Sequence, residues 1–225
     1  MKQKLLVALM VSVIAPVLVG CGARRTTTVD PLPDPVFRDT SKTLSYRKQS
    51  PGAKSGSRVS RSAKGPWTVK NLSSRWKYVI VHHSATQAGG AERFDRTHRR
   101  PKYLGGNGMD EMGYHFVIGN GTDTPDGKIE VGSRWLQQKH GAHCRVSIND
   151  SNEYNKHGIG ICLVGNFEYT RPSAAQMKSL IYLTNGLLKN THLPASAVHY
   201  HRDFKSTKCP GRYFPYSTYK RALRR

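Results

Sequence analysis

Residues 157–167 read HGIGICLVGNF, a run with no polar alternation over Ile159–Val164. Six apolar or small residues in a row, rich in β-branched side chains, form a strand that is apolar on both faces. Such a strand lies inside a sheet covered on each side, so the chain must supply both further strands and helices to pack on them. RWKYVIVHHSA at 75–85 reads as another buried strand, and it places His82 and His83 at its C-terminal end. GYHFVIG at 113–119 reads as a further strand, and NGTDTPDGKIEVG at 120–132 as a turn leading into a short one. GGAERFDRTHRR at 89–100 suits a helix stopped by Pro101. In SAAQMKSLIYLTNGLLKN at 173–190, Ala174, Met177, Leu180, Ile181, Leu187 and Leu188 recur at helical spacing behind the N-cap Ser173. Short strands among helices imply an α/β domain with a central mixed sheet flanked by helices.

The 225 residues allow one core of about 150 residues plus accessory segments. The chain opens with two lysines, then sixteen uncharged residues (5–20), then LVGC. That layout is a secretory signal, too short and too interrupted by Pro16 for a membrane span. LVGC resembles a bacterial lipobox, which implies cleavage after residue 20, lipidation of Cys21 and a membrane anchor. Gly22 stands where aspartate would imply inner-membrane retention, so the expected location is the outer membrane, facing the periplasm, in a cell that has one. Residues 22–70 hold eleven basic and three acidic residues and few large apolar ones. A stretch so poor in apolar surface cannot offset its ordering entropy, so residues 21–70 are expected to be a flexible basic tether and 71–225 the folded domain. The net charge of +22 favours a polyanion, which by charge alone could be nucleic acid, anionic lipid or wall polymer. An export signal favours the envelope over nucleic acid. With Cys21 lipidated, Cys144, Cys162 and Cys209 remain, an odd set that excludes a disulfide framework and leaves room for one bridge, Cys144 to Cys162.

HYHRDFKSTKCPG at 199–211 joins two histidines to a cysteine through a basic loop. A histidine and a thiolate flanking a short loop can converge on one ion, and a third donor is available at the end of the His82–His83 strand. Two histidines and one cysteine match a catalytic zinc site, whose fourth position is open to water. No C-x-x-C pair is present to suggest a closed structural site.

VHHSAT, GYHFVI, GAHC, YNKHGIGICLVGNF and HRDFKSTKCPG occur in that order between about residues 75 and 215. Together they resemble the type 2 N-acetylmuramoyl-L-alanine amidases and the peptidoglycan recognition proteins of the same fold. The resemblance implies a mixed sheet flanked by helices with zinc in a surface groove, held by His82, His201 and Cys209. It implies that Tyr114 hydrogen-bonds the attacking water or the oxyanion, that Thr207 donates to the oxyanion, and that His143 lines the substrate groove. His83, His115 and His199 are then packing or hydrogen-bonding residues. Some members carry glutamate where this chain has Cys162, so the identity of the general base stays open. RVSINDSNE at 145–153 is longer than the usual spacer and is expected to reshape one rim of the groove. The implied reaction is hydrolysis of the amide between the lactyl group of N-acetylmuramic acid and L-alanine of the stem peptide, in intact wall or in muropeptide fragments. The implied protein is a monomer with no nucleic-acid partner. The other reading of the same fold is a non-catalytic peptidoglycan-binding module, although members that only bind have typically lost a zinc donor.

Overall fold

A computed structural model describes residues 65–144 and 152–223. The lipobox with Cys21, the signal at 1–20, the tether up to residue 64 and most of the 145–153 insertion lie outside the described residues.

Five strands form one mixed sheet: β1 (Tyr78–His83), β2 (Phe116–Ile118), β3 (Ile129–Val131), β4 (Gly158–Leu163) and β5 (Val198–Tyr200), in the order β3-β2-β4-β1-β5. β4 runs parallel to β1 and β2, β5 runs parallel to β1, and only β3 is antiparallel. β4 is central and every one of its residues is buried, as a strand without polar alternation requires.

Among the described residues, five α-helices accompany the sheet: α1 (Ala91–Arg99), α2 (Ser133–Leu136), α3 (Glu153–His157), α4 (Ala174–Thr191) and α5 (Tyr216–Ala222). α4 begins at a capping box, in which the Ser173 side chain accepts from the Gln176 N–H at 2.9 Å and the Gln176 side chain accepts from the Ser173 N–H at 3.2 Å. The Gln176 amide, itself buried, donates to the carbonyls of Val164 and Ile118 and ties α4 to the sheet. Met177, Leu180, Leu183 and Leu187 of α4 meet Val81, Ile161 and Phe116 in the larger core. Tyr219 of α5 closes that layer, its hydroxyl 2.7 Å from Thr184 Oγ1.

The opposite face carries a thinner cluster of Phe94, Met112, Val117, Cys162 and Val164, with Tyr114 packed on it. Successive residues of a strand point to opposite faces. In β1 that alternation sends Val79, Val81 and His83 toward α4 and leaves His82 on the thinner side.

The folded unit begins before residue 71, the boundary expected from composition. Trp67 and Val69 pack against the larger core, and the Trp67 ring lies 5.0 Å from that of Tyr182 on α4. Composition placed them in the tether because two apolar residues in a polar stretch carry no periodic signal. β5, α2, α3 and α5 were likewise not read from the sequence.

Candidate metal centre

His82 occupies the strand-end position through register. Val81 is paired with Tyr200, so the next residues along the two parallel strands, His82 and His201, stand side by side with ring centroids 4.7 Å apart. His201 opens a short 3-10 turn directly after β5. The chain then loops out and returns, closed by the Arg202 N–H donating to the Cys209 carbonyl at 3.1 Å. Gly211 lets the return pass close to the core: its φ is +115°, and a Cβ there would stand 2.2 Å from the Phe167 backbone. Cys209 Sγ comes to 3.9 Å from His82 Nδ1, and it accepts the His83 backbone N–H at 3.3 Å. The donor atoms of His82, His201 and Cys209 all lie within 4.8 Å of one another.

The protonation states suit a cation. Burial, then the neighbouring His143 and His201 rings, hold His82 well below the usual histidine range. Burial, then Lys205, holds His201 at about 4. Both imidazoles are therefore neutral at pH 7 and offer lone pairs. Burial pushes the Cys209 thiol up to about 12, against the opposing pull of the His83 N–H, so this sulfur ionises at neutral pH only beside a positive charge. His201 Nε2 is buried without a hydrogen-bond partner. A buried, unpartnered nitrogen costs free energy unless something binds it. Two neutral imidazoles, one thiol and an orphaned ring nitrogen fit zinc.

Tyr114 lies beside this group, its ring centroid 5.5 Å from His82. Burial and the nearby thiols of Cys162 and Cys209 push its hydroxyl well above the usual tyrosine range, so it is a proton donor at neutral pH. Thr207 is half-buried in the Cys209 loop, where its Oγ1 accepts the Cys209 N–H at 3.3 Å and its own proton remains available. Cys162 sits opposite His82 in the sheet, fully buried, with its thiol held neutral by burial. Cys162 is a free thiol, so the one bridge the sequence allowed, Cys144 to Cys162, is not formed.

His83 turns to the other face and accepts the Phe167 N–H at its Nδ1, 3.1 Å away. His115 accepts the Gly160 N–H and contacts the Lys139 carbonyl. His199 is half-buried, 3.8 Å from Asp203.

His143, expected to line the groove, is buried beside the donor set. It is 7% exposed, 3.0 Å from His82 through Nδ1 and 3.1 Å from the Gly158 carbonyl through Nε2. Gly160 makes the room, since a Cβ there would come within 2.4 Å of the His143 ring. The backbone N–H groups of His143 and Cys144 both donate to Asn155 Oδ1 at 2.8 Å, which assigns α3 the task of holding this strand-like segment. Asn155 belongs to the YN pair of the sequence motif, but nothing in its spacing announced that contact. His82, His143 and Cys144 form a second group of metal-ligating atoms that shares His82 with the first.

Known proteins are similar to this chain in sequence and fold. The sequence profile of N-acetylmuramoyl-L-alanine amidases matches residues 72–212. Peptidoglycan-recognition protein 2 of Holotrichia diomphalia is 34% identical over 116 residues, 49% of this chain and 51% of that one. An N-acetylmuramoyl-L-alanine amidase of Sus scrofa is 31% identical over 145 residues, 60% of this chain and 21% of the relative. This chain thus spans about half the length of the first relative and a smaller part of the second. In three dimensions it is similar to the amidase LysC from Clostridium intestinale URNW, with a TM-score of 0.52 and 27% identity over 68% of this chain and 89% of that one. With the profile covering well over half of its length, the chain belongs to the N-acetylmuramoyl-L-alanine amidase family.

Proposed function

We propose that this chain is a zinc-dependent N-acetylmuramoyl-L-alanine amidase that cleaves the lactyl amide linking N-acetylmuramic acid to the stem peptide of peptidoglycan or its muropeptide fragments. The observation that carries the reading is the convergence of His82, His201 and Cys209, whose donor atoms all lie within 4.8 Å of one another. His82 Nδ1, His201 and Cys209 Sγ are the donors for the ion. A zinc ion held by them would supply Lewis acidity, which lowers the pKa of a water to about 7 and polarises a carbonyl. The Tyr114 hydroxyl, protonated beside the donors, contributes a hydrogen bond to the negative charge that develops on the carbonyl oxygen. Thr207 contributes a second donor, because the Cys209 N–H occupies its oxygen rather than its proton. Cys162, neutral and buried, does not serve as the base that glutamate provides in some relatives. His82 and Cys209 are buried and His201 is half-buried, and the lower local dielectric strengthens each of these interactions.

The N-terminal reading completes the proposal: Cys21 is lipidated, the basic stretch that follows it tethers the domain over an anionic envelope surface, and the enzyme works as a monomer. The alternative, a binding module without catalysis, is disfavoured by the presence of all three donors. The test is zinc content of the purified chain together with release of free stem peptide from purified peptidoglycan. One zinc per chain with peptide release supports the amidase. Binding to peptidoglycan without release supports the module.

A further inference from the structure

We propose that His143 is a positioning residue: its hydrogen bond selects the tautomer of His82 and so aims the Nδ1 lone pair of His82 at Cys209 and His201. The inference rests on the reading of those three residues as cation donors, and it follows from a chain of hydrogen bonds with one fixed end. The Gly158 carbonyl can only accept. His143 Nε2, 3.1 Å away, must therefore carry the proton of that contact. In a buried imidazole whose Nε2 carries the proton, the other nitrogen, Nδ1, holds the lone pair. His82 Nε2 lies 3.0 Å from that lone pair and must donate to it. A neutral His82 protonated at Nε2 keeps its own lone pair on Nδ1, the atom 3.9 Å from Cys209 Sγ.

Each link is held from outside. Asn155 Oδ1 fixes the His143 backbone at 2.8 Å, and Gly160 leaves the space that the ring fills. A histidine that ligates a metal usually donates its other N–H to an acceptor that sets ring orientation and basicity. Here that acceptor is another histidine, backed by a carbonyl.

The rival arrangement uses the second group. Cys144 Sγ lies 3.3 Å from His143 Nδ1 and 4.0 Å from His82 Nε2, so an ion held there would need the His82 lone pair on Nε2 and the proton on Nδ1. His201 offers a donor atom to the group with Cys209 and none to the group with Cys144, which argues for the relay.

Long-range proton–nitrogen NMR of the 15N-histidine-labelled, otherwise unmodified protein reads the tautomers directly. The relay requires Nε2–H on both His82 and His143, in the zinc-free protein and in the zinc-loaded one. Zinc bound to His82 through Nε2, or Nδ1–H on His82 in the zinc-free form, overturns it. Zinc affinity by chelator competition is the second readout. His143→Ala should weaken it about 10- to 100-fold. His143→Asn, whose Oδ1 stands where the Nδ1 lone pair was, should lie closer to the parent than to His143→Ala, even though both variants lose the Gly158 contact and melt lower without metal. Cys144→Ser should bind zinc as the parent does. Equal losses in His143→Asn and His143→Ala would reduce His143 to a packing residue, and a Cys144→Ser variant as weak as His143→Ala would place the ion in the second group. Absence of bound zinc throughout would overturn the amidase reading, while the zinc-free spectra would still decide the relay.

Discussion

Gly160→Ala tests the geometry behind the site with one methyl group. Gly160 has no positive φ, so alanine fits the backbone, and in the unfolded chain the substitution favours folding by about 0.4–1 kcal/mol. The folded state opposes it. The new Cβ would lie 2.4, 2.6 and 2.8 Å from Cδ2, Cγ and Nε2 of His143. Ordinary carbon contacts are about 3.5–4.0 Å, so the ring must retreat by roughly 1 Å. It cannot do so and keep hydrogen bonds of 3.0 Å to His82 and 3.1 Å to Gly158 at its two ends. Overpacking costs about 1–3 kcal/mol, and each buried hydrogen bond lost adds about 1 kcal/mol. Net of the unfolded-state gain, the variant should be destabilised by about 1–4 kcal/mol, which urea unfolding at unchanged slope would measure. The same retreat withdraws the acceptor from His82, so zinc affinity should fall with stability. A Gly160→Ala protein at least as stable as the parent, with parental zinc affinity, would refute the packing argument.

Cys209→Ser should lose bound zinc and most hydrolysis, while full zinc and full activity would remove Cys209 from the donor set. Tyr114→Phe and Thr207→Ala should keep one zinc per chain and lower kcat, Thr207→Ala by about 2–3 kcal/mol in the barrier, near the low end for one oxyanion donor; loss of zinc in either variant would contradict the division between donors and hydrogen-bonding groups. His115 is buried with its pKa held down at about 4, mainly by burial, against a usual value near 6.5. The unfolded chain binds its proton first, so stability should be full above about pH 6.5 and fall as pH drops toward 4, by about 2–3 kcal/mol from this group. A flat stability profile in zinc-free protein between pH 7.5 and 4.5 would count against that burial. Cys21→Ala should move the protein out of the membrane fraction, and unchanged partitioning would show that LVGC is not a lipobox.

What the sequence by itself determined was what local pattern can carry. β1 and β4 stand out because their apolar runs, four residues in β1 and six apolar or small residues in β4, suit few places other than the middle of a covered sheet, and α4 because an N-cap serine and a helical period agree over eighteen residues. Local pattern offered a strand-end histidine pair and a loop with a histidine and a cysteine, and the family resemblance implied His82, His201 and Cys209 among them. The alternation that separates His82 from His83 is itself a local property of strands. The tertiary structure decided everything that depends on pairing. β5 is three residues long and includes a half-buried histidine, so only its register with β1, Val81 beside Tyr200, makes it a strand and sets His201 next to His82. α2 and α3 are too short to display a period. Trp67 and Val69 acquire meaning only from the core they cover. His143 shows the limit most plainly. GAHC has the composition of a surface loop, and its histidine is interior because Asn155 holds the backbone and Gly160, remote in sequence, leaves a space one imidazole wide. Burial is a property of what other segments do, and a local pattern cannot encode it.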